Sequence, residues 1–118
     1  MSLHNVKAFS KFVTGMAGVT LVEQWGSLVA KVGGKVFALV AVDGHDVVFK
    51  VGEISFDGLT TLEGVEQAPY FAKRQWVSVG NGAALGDAEL KAYIKASYDL
   101  IVGKLTKKLR AELGISVD

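Results

Sequence analysis

Lys104, Lys107, Lys108 and Arg110 gather around Thr106, a residue type suited to cap a helix that the pattern predicts from Thr106 to about Leu113, just before Gly114. Cations in a first helical turn oppose the macrodipole, which favours carboxylates there. A bound phosphate would reverse that penalty, because a hydroxyl, unpaired backbone N–H groups and ammonium groups would then share one negative partner. The plain alternative is a lysine pair solvated on a surface helix, worth little to stability. Two further clusters offer the same chemistry: Lys31 and Lys35 flank Gly33-Gly34, and Lys73 and Arg74 stand just before Trp76. Brought onto one surface, the three clusters would supply roughly four to six phosphate contacts. Scattered, they are ordinary solvated side chains. Arginine is the residue that most often reads guanine edges bidentately, and only two are present, Arg74 and Arg110, so any binding should be weakly sequence-specific.

The elements that must position these cations follow from apolar spacing. Leu3, Val6, Phe9, Phe12, Val13 and Met16 recur every three or four residues and predict a first helix, ended by Gly15 and Gly18. Strands are predicted at Val19 to Trp25, Leu28 to Val32, Lys35 to Val42 and His45 to Val51. Gly33-Gly34 and Asp43-Gly44 read as two-residue turns of an antiparallel meander. Ser55 can cap a short helix reaching Leu62, and Glu63 to Tyr70 reads as a loop fixed by Pro69, the only proline. A fifth strand is expected from Gln75 to Val79. Asp87 then caps a long helix from about Ala88 to Val102, with Leu90, Tyr93, Ile94, Tyr98, Ile101 and Val102 facing inward. With no repeat, linker or low-complexity tract, the expectation is one α+β domain over residues 1–118, an antiparallel sheet of about five strands with helices packed on one face.

Composition supports a folded core: 50% of the 118 residues are hydrophobic. Cysteine is absent, which excludes disulfides and thiolate chemistry and fits a reducing cytoplasm, the expected location. No signal peptide or membrane span is expected, since the apolar run from Val36 to Val42 is too short to cross a bilayer. Net charge is only +1 but is unevenly placed: residues 1–35 carry +3, 36–66 carry −5, 67–110 carry +5 and the last eight −2. Such asymmetry can build a one-signed face on a nearly neutral protein.

If both turns hold two residues, Val29, Val36, Ala38, Val40, Val42, Val47, Phe49 and Val51 share the face that lies under the helices. The other face then carries Leu28, Val32, Lys35, Phe37, Leu39, Asp46, Val48 and Lys50. Apolar bulk mixed with lysine marks a candidate contact surface around Phe37, Lys50 and Trp76, for a protein partner or a second copy of the chain, unless a helix or subunit covers it. Trp76 and Ser78 point together, inward or onto this face. Trp25, Trp76, Tyr70, Tyr93 and Tyr98 each read first as core aromatics.

Trp25-Gly26, Lys31-Val32-Gly33-Gly34-Lys35-Val36-Phe37-Ala38, Phe49-Lys50-Val51, Ala68-Pro69-Tyr70, Trp76-Val77, and Ser97-Tyr98 followed by Lys104-Leu105 and Lys107-Lys108 occur in an order and spacing that resemble the MmcQ/YjbR family of small bacterial proteins. The likeness spans nearly the whole chain. It implies a CyaY-like α+β fold and DNA binding through a double-wing arrangement of hairpins, and it supplies no catalytic residues.

Other chemistries find little footing. The implied fold is shared with iron-binding frataxin-like proteins, whose first helix is acidic, whereas here that segment carries Lys7 and Lys11 and no acid. His4 and His45 are separated by most of the sheet. Asp43, Asp46 and Glu53 could hold a hard cation only loosely, and no metal or other cofactor is expected. No nucleophile elbow, phosphate loop or HExxH spacing occurs, and Gly80-Asn81-Gly82 lacks the further glycine of a nucleotide fingerprint. The expectation is a non-enzymatic DNA-binding protein using Lys31, Lys35, Lys73, Arg74, Lys104, Lys107, Lys108 and Arg110, without membrane association. The alternative is a protein-interaction or small-anion module built on the open sheet face.

Overall fold

A computed structural model describes residues 2–115. The order of elements is α1 (Val6–Thr14), β1 (Val19–Gln24), β2 (Ser27–Val32), β3 (Lys35–Ala41), β4 (Asp46–Lys50), α2 (Glu53–Leu59), β5 (Val65–Gln67), β6 (Trp76–Gly80), α3 (Asp87–Val102) and α4 (Lys107–Glu112). The strands form one antiparallel sheet in the order β1-β2-β3-β4-β6-β5. Six strands replace the expected five. The extra one, β5, lies inside the stretch read as a loop, where three residues on a sheet edge are too few to show an alternating pattern.

Helix starts follow their capping chemistry. Asn5 Oδ1 accepts from the N–H groups of Lys7 and Ala8 at 3.0 and 3.1 Å and begins α1. Gly52 and Gly86, rather than Ser55 and Asp87, occupy the N-cap positions of α2 and α3. Asp87 instead accepts from Leu3 N–H at 2.9 Å, fastening the N-terminal segment to α3. Helices α1 and α3 cover one sheet face, where Phe9, Val13, Val40, Val47, Phe49, Val77, Val79, Leu90 and Ile94 form the main core. Tyr98 joins it through an edge contact with Phe37 at 5.5 Å and donates its hydroxyl to the Ala17 carbonyl at 2.6 Å.

Both predicted hairpins form, but the face assignment changes at one residue. Val32 pairs with Lys35 and Lys31 with Val36 across Gly33-Gly34, as a two-residue turn requires, yet Ala30 pairs with Ala38. Phe37 is the additional residue of a β-bulge, and from there the strict alternation is out of step. Phe37 and Val32 therefore belong to the helix-side core, while Val29 and Val36 lie on the far face, the reverse of the expectation. Asp43-Gly44 sits within a four-residue loop, 42–45, closed by Gly44 N–H donating to Ala41 carbonyl at 2.9 Å. This leaves Ala38 opposite Phe49 and Val40 opposite Val47, so the predicted β3–β4 faces stand.

The far face is not open. Val29, Leu39, Val48, Ala68 and Trp76 form a second small core, covered by the segment from Ala68 to Gln75 through Phe71, whose ring lies 4.6 Å from that of Trp76. The cover is thus a loop of the chain itself rather than a helix or a second subunit.

Candidate nucleic-acid interface

Antiparallel pairing brings the end of β2, the start of β3, the end of β4 and the start of β6 to one edge of the sheet. Lys31 and Lys35 emerge there from the β2–β3 hairpin, Lys50 from the last position of β4, and Lys73 just ahead of β6. The C-terminal end of α3 is fastened to the same edge: buried Ser97 donates its hydroxyl to the Lys50 carbonyl at 2.5 Å. The chain beyond α3 consequently delivers Lys104 beside Lys50, and Leu105 packs under the hairpin turn. Gly33 has φ +60°, and a Cβ there would stand 2.7 Å from a Leu105 methyl, so glycine serves both the turn and the close approach. Helix α4 starts from that contact and ends near Gly18, where Leu113 packs, which places Lys107 and Lys108 along the same edge.

Lys50 shows what this gathering does. Its Nζ donates to Gln75 Oε1 at 3.2 Å and lies 5.5 Å from the centre of the Trp76 ring. Burial first, and then the neighbouring Lys104 ammonium, hold its pKa below the ordinary 10.5. Two like charges face each other without a carboxylate between them. Among the described residues, none of Lys31, Lys35, Lys50, Lys73, Lys104, Lys107 and Lys108 forms an ion pair; the pairs present are Arg74 with Glu53 and Asp57, Lys91 with Asp87, and Lys95 with Asp99.

The two arginines stand apart from this group. Arg74 shares its edge, but its guanidinium donates to both Asp57 oxygens at 2.9 and 3.0 Å, lies 3.9 Å from Glu53 and stacks over Phe56. Two carboxylates neutralise the charge expected to meet a phosphate, so Arg74 acts as a fastener of its loop. Arg110 is half-buried, with its Nε enclosed and unpartnered among the described residues. The helix-start argument also weakens. Thr106 caps as predicted, its hydroxyl oxygen accepting from Leu109 N–H at 3.1 Å, but α4 has only six residues and little macrodipole for Lys107 and Lys108 to oppose.

The aromatics divide differently from expectation. Phe37 is fully buried and Trp76 only 8% exposed, so neither offers a contact surface; Lys50 alone of that trio reaches solvent. Trp25 and Tyr70, expected in the core, are exposed, Trp25 at 89% and Tyr70 completely. Both have positive φ, +51° and +70°, in tight chain reversals that turn their side chains outward. Trp25 lies on the β1–β2 turn at the other end of the sheet, the end that also carries Glu23, Asp43 and Asp46. Tyr70 belongs to the loop that carries Lys73. Neither exposure leaves a mark in local composition.

Among the described residues no cluster of three His, Asp or Glu side chains is close enough to hold an ion. His4 is buried and donates from Nε2 to the Val79 carbonyl at 2.9 Å, a structural task. No helix among the described residues is long and apolar enough to cross a membrane.

Fold and site together define a small α+β protein with several lysines at one end of its antiparallel sheet that form no ion pair among the described residues. The YjbR family model matches residues 14–100, and the chain belongs to that family. Its structure is similar to that of a Deinococcus radiodurans protein with a DUF419 domain, at TM-score 0.85 and 22% identity over 95% of this chain and 89% of that one. A Pseudomonas syringae protein of solved structure is also similar, at TM-score 0.67 and 18% identity over 81% of this chain and 97% of the other. No curated protein matches in sequence.

Proposed function

We propose that this protein binds nucleic acid, DNA in the first instance, through phosphate contacts from Lys31, Lys35, Lys50, Lys73, Lys104, Lys107 and Lys108, with weak sequence specificity and without catalysis. The supporting observation is the gathering of lysines from four segments at one end of the sheet, with Lys104 beside Lys50 and no ion pair to any of them among the described residues, an arrangement that a polyanion relieves. Glu53 and Asp57, in the helix that follows β4, are already engaged by Arg74. The alternative of a protein or small-anion module on the far sheet face lacks a surface, since the segment 68–75 closes the apolar part of that face.

Fluorescence anisotropy with labelled oligonucleotides tests the reading. With about four phosphates engaged, affinity should fall roughly 150-fold for a duplex and roughly 50-fold for a single strand between 50 and 200 mM salt. Replacing Lys104, Lys107 and Lys108 together by Gln should flatten that dependence and weaken binding while leaving thermal unfolding nearly unchanged. Salt-insensitive binding, or an unaffected triple variant, would remove the basis for these assignments.

A further inference from the structure

We infer that Tyr70 is a base-stacking platform and that the preferred ligand is single-stranded rather than duplex nucleic acid; this rests on the nucleic-acid reading above. Tyr70 is fully exposed, whereas its neighbour Phe71 is turned down onto Trp76, so the loop is anchored by one aromatic and presents the other. The loop backbone beneath the ring is braced. Gln67 brackets the loop, donating from Nε2 to the Ala68 carbonyl at 2.8 Å and accepting at Oε1 from Arg74 N–H at 2.8 Å. Arg74 is itself fixed on Asp57, and the residues at φ +70° and +65°, Tyr70 and Arg74, are held in a conformation they would not adopt unaided. A loop backbone ordered before the ligand arrives loses little freedom on binding.

The surroundings select the ligand. Lys73, exposed and without an ion pair among the described residues, lies three positions along the same loop, and Gln75 joins that loop to Lys50. An exposed aromatic beside cations that track a phosphate backbone is the arrangement that holds single strands, because unpaired bases offer a π-face that a duplex keeps stacked inside. The glutamate and aspartate at the loop base, Glu53 and Asp57, are paired with Arg74 rather than with Lys73.

The test compares wild type with Tyr70→Ala, Tyr70→Asn and Tyr70→Phe, using fluorescein-labelled oligothymidylate and a labelled duplex. Asn suits the left-handed backbone and so preserves the loop while removing the ring. Wild type should favour the single strand. Both ring-deleting variants should bind it roughly 5- to 100-fold more weakly, Phe should restore binding, and the salt dependence should stay unchanged because no phosphate contact is lost. Equal affinity of wild type and Tyr70→Asn for the single strand, or an equal loss for duplex, would overturn the inference while leaving phosphate binding intact. Absence of binding by wild type to either probe at low salt would overturn both readings.

Discussion

At the scale of single residues, the Lys50 ammonium concentrates the physics of the basic edge. It is partly buried, its neutral partners are the Gln75 amide and the Trp76 ring, and its charged neighbour has the same sign. A lysine with lowered pKa keeps its unfavourable charge below that pKa, and the cost is relieved as pH rises through it toward the ordinary 10.5. Stability at this position should therefore rise with pH across that window, opposite in sign to a lysine held by an acid. Replacing Lys104 by Gln should move the Lys50 titration back toward the ordinary value, read from its side-chain NMR signals; an unmoved titration would mean that burial alone accounts for the shift. Arg74 teaches the converse lesson. In sequence it stands next to Lys73 and looks equivalent, but its carboxylate partner Asp57 lies 17 positions away, a neutralisation that no local pattern reveals.

At the scale of elements, the strands, their antiparallel order and the long α3 were legible because alternation, turn glycines and helical spacing each repeat over many residues. What escaped was carried by one or a few residues. The bulge at Phe37 adds a single residue and reverses the faces of β2, and β5 is only three residues long. The exposed aromatics escaped for a different reason: Trp and Tyr are bulky enough that burial is the reasonable default, and only the turn geometry overrides it. Trp25 occupies the first of two positive-φ positions, +51° followed by +73° at Gly26, a turn for which Asn-Gly is the favoured pair. Its side chain returns nothing by burial. Trp25→Asn should stabilise the fold by about 0.5–1 kcal/mol in urea titrations. A destabilised variant would show that the indole makes contacts that its exposure conceals.

At the scale of the whole molecule, a net charge of +1 conceals a polar body. Lysines from the β2–β3 hairpin, β4, the 68–75 loop and the segment after α3 meet at one end of the sheet, while Glu23, Trp25, Asp43 and Asp46 occupy the other. The alternating charge blocks along the chain hinted at this separation, but only the antiparallel meander, which returns every second strand end to the same edge, turns blocks in sequence into poles in space. The candidate site was half visible for that reason: the lysines could be read from the sequence, but the placing of Lys104 beside Lys50 and the engagement of Arg74 by Asp57 depend on the fold. Backbone amide NMR with a short oligothymidylate probes the account most directly. Shifts confined to residues around Lys31–Lys35, Lys50, Tyr70–Gln75 and Lys104–Lys108 are the predicted result. Shifts centred on Trp25 and the 42–45 loop, or none at low salt, would contradict it.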